Sequence, residues 1–168
     1  MRMKATTVLI GIFCFFLMAA VAGAADYKNW LPLMPETVGG LEKSGQHEGF
    51  NMNSGGKAWS FLKQKYAGDR GRARLMIISG AGAPQVQSFE NMPEFNMESE
   101  KKIAKSLEVS GHKAFLEIDK NDSNGRLVVS VGSSALVVLH VTPVSGEKKM
   151  LSLADAVPLE KIAEAVSD

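Results

Sequence analysis

The stretch RLMIISGAGAP, Arg74 to Pro84, carries the residue types of a phosphate cradle: a β-branched apolar run that breaks into glycines. A dinucleotide loop needs G-x-G-x-x-G running straight into a helix, whose first amides then bind the pyrophosphate. Here Gln85 stands where the third glycine belongs, Pro84 has no amide to offer, and no helical pattern begins before about residue 94. The Gly-Lys-Ser/Thr ending of a P-loop is missing as well. The stretch therefore reads as a strand and its terminator.

Three other groups could do chemistry. Asp119 to Gly125 (DKNDSNG) looks like the front of a calcium loop, but the sixth and twelfth places hold Asn124 and Ser130 where glycine and a bidentate glutamate are required. It reads as a polar hairpin turn. Phe50-Asn51-Met52 and Phe95-Asn96-Met97 share a tripeptide, and with Met92 and His47 they offer the soft ligands that copper(I) takes. A small-ligand or copper-binding protein is the alternative function this leaves open; methionine in a core is the plainer use. His47, His112 and His140 are isolated, with no H-E-x-x-H and no G-x-S-x-G elbow, so no catalytic residue and no metal ligand set is assigned, and an enzyme whose active site is assembled from remote residues without a motif is the second alternative.

The charge pattern is more informative. Between residues 57 and 74, Lys57, Lys63, Lys65, Arg70, Arg72 and Arg74 face only Asp69, a local +5. Lys63, Lys65, Arg70, Arg72 and Arg74 are the candidate anion-binding residues. Two hairpin registers give them different meanings. A four-residue loop, 67 to 70, sets Lys65 against Arg72 and Lys63 against Arg74 beside Trp59 and Phe61. Opposed like charges cost stability, so that register implies an anionic partner. A five-residue loop, 67 to 71, splits the charges over two faces and leaves a solvated edge that blocks aggregation.

The elements that would position these residues follow from periodicity. Asp26 to Pro35 allows a helical turn, and four glycines between Val38 and Met52 keep any strand there short or irregular. Lys57 to Tyr66 and Arg72 to Ser79 read as paired strands. Glu94 to Val109 places Ile103, Ala104 and Leu107 among charged residues at helical spacing, stopped by Ser110-Gly111. Ala114 to Asp119 alternates as a half-buried strand. Arg126 to Val131 and Ala135 to Val141 form a hairpin with Val129 facing Val137 and Leu127 facing Leu139 on the inner side; Arg126 and His140 share the outer side. Pro158 opens a last helix with Leu159, Ile162 and Val166 as its buried stripe. The order β-β-(β)-α-β-β-β-α predicts an α+β domain: one antiparallel sheet of about five to six strands with helices packed on one face.

The N-terminus has the layout of a cleavable export signal. Arg2 and Lys4 precede an apolar run from Val8 to Val21, and Ala22-Gly23-Ala24-Ala25 supplies small residues for the cut. The run is 14 residues long, below the roughly 20 that span a bilayer. The expected division is a signal peptide over 1–25 and one domain over 26–168. Cys14, the single cysteine, lies within the leader and away from the cut, which excludes a lipoprotein and leaves the mature chain without disulfide or thiol chemistry. Without Arg2 and Lys4, 17 of the 19 basic residues remain against 18 acidic ones. A formal −1 draws the chain neither to nucleic acid nor to a membrane.

The run from Leu31-Pro32 through Gly39-Gly40, Trp59 to Tyr66, Ile77-Ile78 and Gly111-His112-Lys113-Ala114 to Pro158-Leu159-Glu160-Lys161-Ile162 resembles small exported bacterial domains with the strand and helix order of the PsbP-type α/β sandwich. The resemblance implies a non-enzymatic domain that binds or accompanies other envelope components, and it carries over no site residue. The expectation is thus a periplasmic or secreted, non-catalytic binding or accessory domain without a cofactor. It would recognise a protein or an anionic envelope component through its basic hairpin, with no transmembrane anchor once the leader is cut.

Overall fold

Apolar residues at every second position of the long strands of this chain give them a shared apolar face, which joins them into one sheet. The computed structural model describes residues 25–167. A 3-10 helix, Tyr27–Leu33, leads into short strands β1 (Thr37–Val38) and β2 (Leu41–Lys43). Then come β3 (Glu48–Ser54), β4 (Lys57–Gly68), β5 (Gly71–Ser79) and helix α1 (Pro84–Glu90). Strands β6 (Asn96–Glu98), β7 (Lys102–Val109), β8 (His112–Asp119), β9 (Asn124–Val131) and β10 (Ala135–Thr142) precede helices α2 (Glu147–Ala154) and α3 (Leu159–Ser167).

The sheet is antiparallel throughout, in the order β1-β2-β4-β5-β10-β9-β8-β7-β6, with β3 paired to β4 beside β2. Alternation sends Leu62, Leu75, Leu139, Leu127 and Leu116 to the inner face, all essentially inaccessible to solvent. Trp30 of the 3-10 helix, Met150 and Leu153 of α2, and Leu159 and Ile162 of α3 close over them in the main core. Each such burial contributes about 1.5–3 kcal/mol. The Tyr66 hydroxyl donates to the Pro35 carbonyl at 2.9 Å and ties the end of the 3-10 segment to β4. Burial pushes this phenol above its ordinary range.

The outer face is divided. At one end, Val86 and Phe89 of α1, with Ala83 before it, cover Ile78, Leu136, Val138 and Val128 in a second, smaller core. The rest of that face carries polar and charged side chains. No helix among the described residues is long and apolar enough to cross a membrane.

This architecture corrects the predicted one. The described residues hold ten strands where five to six were expected, and helices cover both faces where one was expected. The largest single cause is the segment read as a helix over 94–109, which forms β6 and β7. Ile103, Leu107 and Val109 follow strand alternation toward the main core, but Ile103, Ala104 and Leu107 also make a helical stripe. Lys105 hides the alternation. It sits on the inner side, where its ammonium reaches the Glu147 carboxylate of α2 at 2.7 Å. Helices α1 and α2 were not predicted, because seven and eight residues show too little periodicity. The last helix and the β9–β10 register, Val129 to Val137 and Leu127 to Leu139, stand as read. The leader read at residues 1–25 falls, but for Ala25, outside the described residues.

Candidate anion-binding site

The connection between β4 and β5 is a two-residue turn, Asp69-Arg70, shorter than either loop expected. Gly68 pairs with Gly71, and that sets Lys65 directly opposite Arg74 and Ala67 opposite Arg72. Lys63, Lys65, Arg72 and Arg74 therefore share the outer face, as the shorter of the two expected loops required. The solvated-edge reading fails on topology: β5 lies between β4 and β10, and β4 is flanked on its other side by β2 and β3.

Pairing of β5 with β10 extends the charge across the sheet. Arg74 is opposite His140, and His140 is opposite Arg126 of β9. Lys65, Arg74, His140 and Arg126 thus form a row over four adjacent strands. Beside it lie Arg72 and Thr142, which are opposite each other. The Thr142 hydroxyl donates to Asn124 Oδ1 at 2.6 Å, leaving the Asn124 amide nitrogen as a donor. Lys65, Arg72, Arg74, His140, Thr142 and Asn124, together with Ser44, line a depression of about 610 Å³, and Arg126 stands outside that lining, across from His140.

Carboxylates neutralise the two ends of the row and not its middle. Glu48 of β3 takes Lys63 at 2.6 Å and Lys65 at 2.9 Å, and these two ammonium groups hold its carboxyl down at about 2. At the other end Glu117 of β8 bonds Lys102 and lies 3.9 Å from Arg126; the Glu117 contact raises the Lys102 ammonium above its ordinary value. Among the described residues no carboxylate forms an ion pair with Arg72 or Arg74. An opposed like-charge pair costs up to about 1 kcal/mol, so a single buried leucine offsets the cost and the sheet tolerates the row. What remains is a concave surface of guanidinium groups, which bind oxyanions through paired, charge-assisted hydrogen bonds.

Of the five residues singled out by sequence, Lys65, Arg72 and Arg74 line the depression. Lys63 stands one row away on its Glu48 partner, and Arg70 sits at the hairpin tip near Gly40. His140, Arg126, Thr142 and Asn124 were missed. The outer placing of Arg126 and His140 was legible from their hairpin; its junction to β5 was not.

Glu48 competes for Lys65, which gives a first test. Glu48→Gln is expected to strengthen retention on an immobilised sulfated polymer by about threefold, since both lysines then face an anion alone. Weaker retention would show instead that Glu48 orients Lys65. The sign of its pH effect follows from the depressed carboxyl: the Glu48 contribution to folding is complete above the ordinary glutamate range and is lost as pH falls toward about 2.

The other candidates resolve into structure. Gly80 ends β5 with φ of +120°, and its amide donates to the Ser134 carbonyl at 2.9 Å. A helix does follow the glycines, at Pro84 and not at 94, but it is one of seven residues. In the turn after β8, the Asp119 carboxylate accepts the Asn121 and Asp122 amides at 2.9 and 3.2 Å, so its oxygen caps the chain. The two Phe-Asn-Met segments lie on β3 and at the start of β6, seven strand-to-strand steps apart in the sheet. At about 4.8 Å a step that is on the order of 30 Å, and the methionines do not converge. His112 meets Glu160 of α3 at 3.1 Å, away from the depression. Among the described residues no group of three or more histidine, aspartate or glutamate side chains could hold a metal ion. The chain matches no family model, no curated protein and no solved structure.

Proposed function

We propose that this chain is an exported, non-catalytic module that binds an anionic component of the cell envelope in the depression on its outer sheet face. The row Lys65, Arg74, His140 and Arg126, with Arg72 beside it, carries this reading, because Arg72 and Arg74 have no internal ion-pair partner among the described residues. Bare guanidinium groups on central strands serve no edge-protecting purpose. Arg2, Lys4, the apolar run Val8 to Val21 and the small residues Ala22 to Ala25 support export. The near-neutral composition supports a local electrostatic site over general attraction to nucleic acid or membrane.

The test is retention on an immobilised sulfated polymer as a function of salt. Screening shortens from about 30 Å at 0.01 M to about 8 Å at 0.15 M, and retention is expected to fall at least about tenfold over that range. Retention that ignores salt, or none at the lower salt, would reject the reading.

A further inference from the structure

Resting on that reading, we propose that the depression takes an oxyanion, a sulfate or phosphate ester carried on a larger molecule, and that His140 picks up a proton from solvent as it binds. The argument starts from what surrounds the imidazole. On one side, from β5, is Arg74; on the other, from β9, is Arg126. Lys65 of β4 lies beyond Arg74, and Glu117 of β8 beyond Arg126. Along its own strand the next outward residues are Thr142 and Val138, and Arg72 stands diagonal to it. The remaining side opens into the depression.

In the empty site a proton on His140 would make a third cation between two fixed ones, in a partly buried place. Burial first, then Arg74 and Arg126, hold the imidazole below its ordinary value, and only Glu117 opposes them. An oxyanion seated in the depression reverses the balance, because its negative charge lies against Arg72, Arg74 and the ring together and favours the protonated imidazole. Binding then raises the affinity of His140 for its proton, and by linkage a lower pH raises the affinity for the anion. Neutral imidazole is a donor at one ring nitrogen only, whereas the protonated ring presents an N–H whichever nitrogen faces the anion. The volume of about 610 Å³ is far larger than a bare sulfate needs, which points to a carried group.

Inorganic sulfate keeps its charge across the range in which histidine titrates, roughly pH 5 to 8. Its dissociation constant, measured by calorimetry on the protein from residue 26 onward, is expected to be about tenfold tighter at the acid end. The His140 ring signal in NMR should titrate about one pH unit higher with sulfate bound. His140→Gln should keep the weaker, alkaline affinity and lose the pH dependence. A sulfated disaccharide should bind more tightly than free sulfate.

Several outcomes overturn the proposal in distinguishable ways. Sulfate binding that needs Arg72 and Arg74 yet ignores pH, or a His140 titration unmoved by sulfate, removes the proton coupling and leaves the anion site standing. A pH dependence surviving in His140→Gln assigns it to another group. Equal affinity for sulfate and disaccharide makes the free ion the ligand. Absence of sulfate binding at every pH takes the anion-binding reading down as well.

Discussion

Arg72→Glu combined with Arg74→Glu is expected to weaken binding to a sulfated polymer by at least about a hundredfold while leaving the fold intact. A hydrogen bond to a charged group contributes about 1.5–3 kcal/mol, so losing two such anchors costs roughly 3–6 kcal/mol, and each 1.4 kcal/mol is tenfold in affinity. Repulsion from the new carboxylates adds to that. Stability should move in the opposite direction. Residue 74 lies opposite Lys65, so a glutamate there replaces an unfavourable cross-strand pair with a favourable one, worth up to about 1 kcal/mol. Binding lost with an unchanged or raised melting temperature is thus the signature of a surface kept for a ligand. Lys63→Glu, one row away and already held by Glu48, is expected to cost less than about tenfold. If both changes weaken binding equally, diffuse charge and not this depression is responsible.

Gly80→Ala should have the largest effect on the fold and none on the anion site. The backbone at Gly80 has φ of +120°, a region close to glycine-only. A Cβ there would collide with the Ala58 carbonyl oxygen and lie 2.7 Å from the Trp59 Cα, where β4 begins. Neither obstacle is the flexible end of a side chain. Strained backbone costs about 1–3 kcal/mol and forced overpacking a further 1–3 kcal/mol, so a loss of about 3–5 kcal/mol is expected in denaturant unfolding. For a chain of this size that lowers the melting temperature by more than about 6 °C. Gly82→Ala should be milder, because its φ is ordinary and the nearest contact is the Lys57 Cβ at 3.0 Å. Residual folded Gly80→Ala protein should bind the sulfated polymer normally. Lost binding with unchanged stability would restore the phosphate-cradle reading of Ser79 to Pro84.

The glycine stretch shows how far composition and spacing reach. Gln85 and Pro84 were enough to reject a dinucleotide loop, since the chemistry needs amides those positions do not offer. What the glycines are for required the neighbouring strand: the approach of Ala58 and Trp59 to Gly80 is a contact between residues more than twenty apart. The β9–β10 register was legible because both partners are local and Leu127, Val129, Val137 and Leu139 keep an apolar residue at every second position. Over 102–109, one inward lysine paired to a helix far along the chain made strand and helix patterns indistinguishable.

The candidate site divides along the same line. Local sequence determined that residues 57 to 74 are basic, that they form a hairpin, and that Arg126 and His140 share an outer face. It also determined the apolar alternation that sends leucines inward from each long strand. Tertiary structure alone decided that β10 lies beside β5, which turns two separate sets of charges into one row, and that Glu48 neutralises the lysines while leaving the arginines bare. The physical reason is that alternation fixes which way a side chain points within its own strand, whereas neighbours across a sheet are chosen by the collective burial of apolar faces. No property of Arg74 or His140 taken singly records that choice.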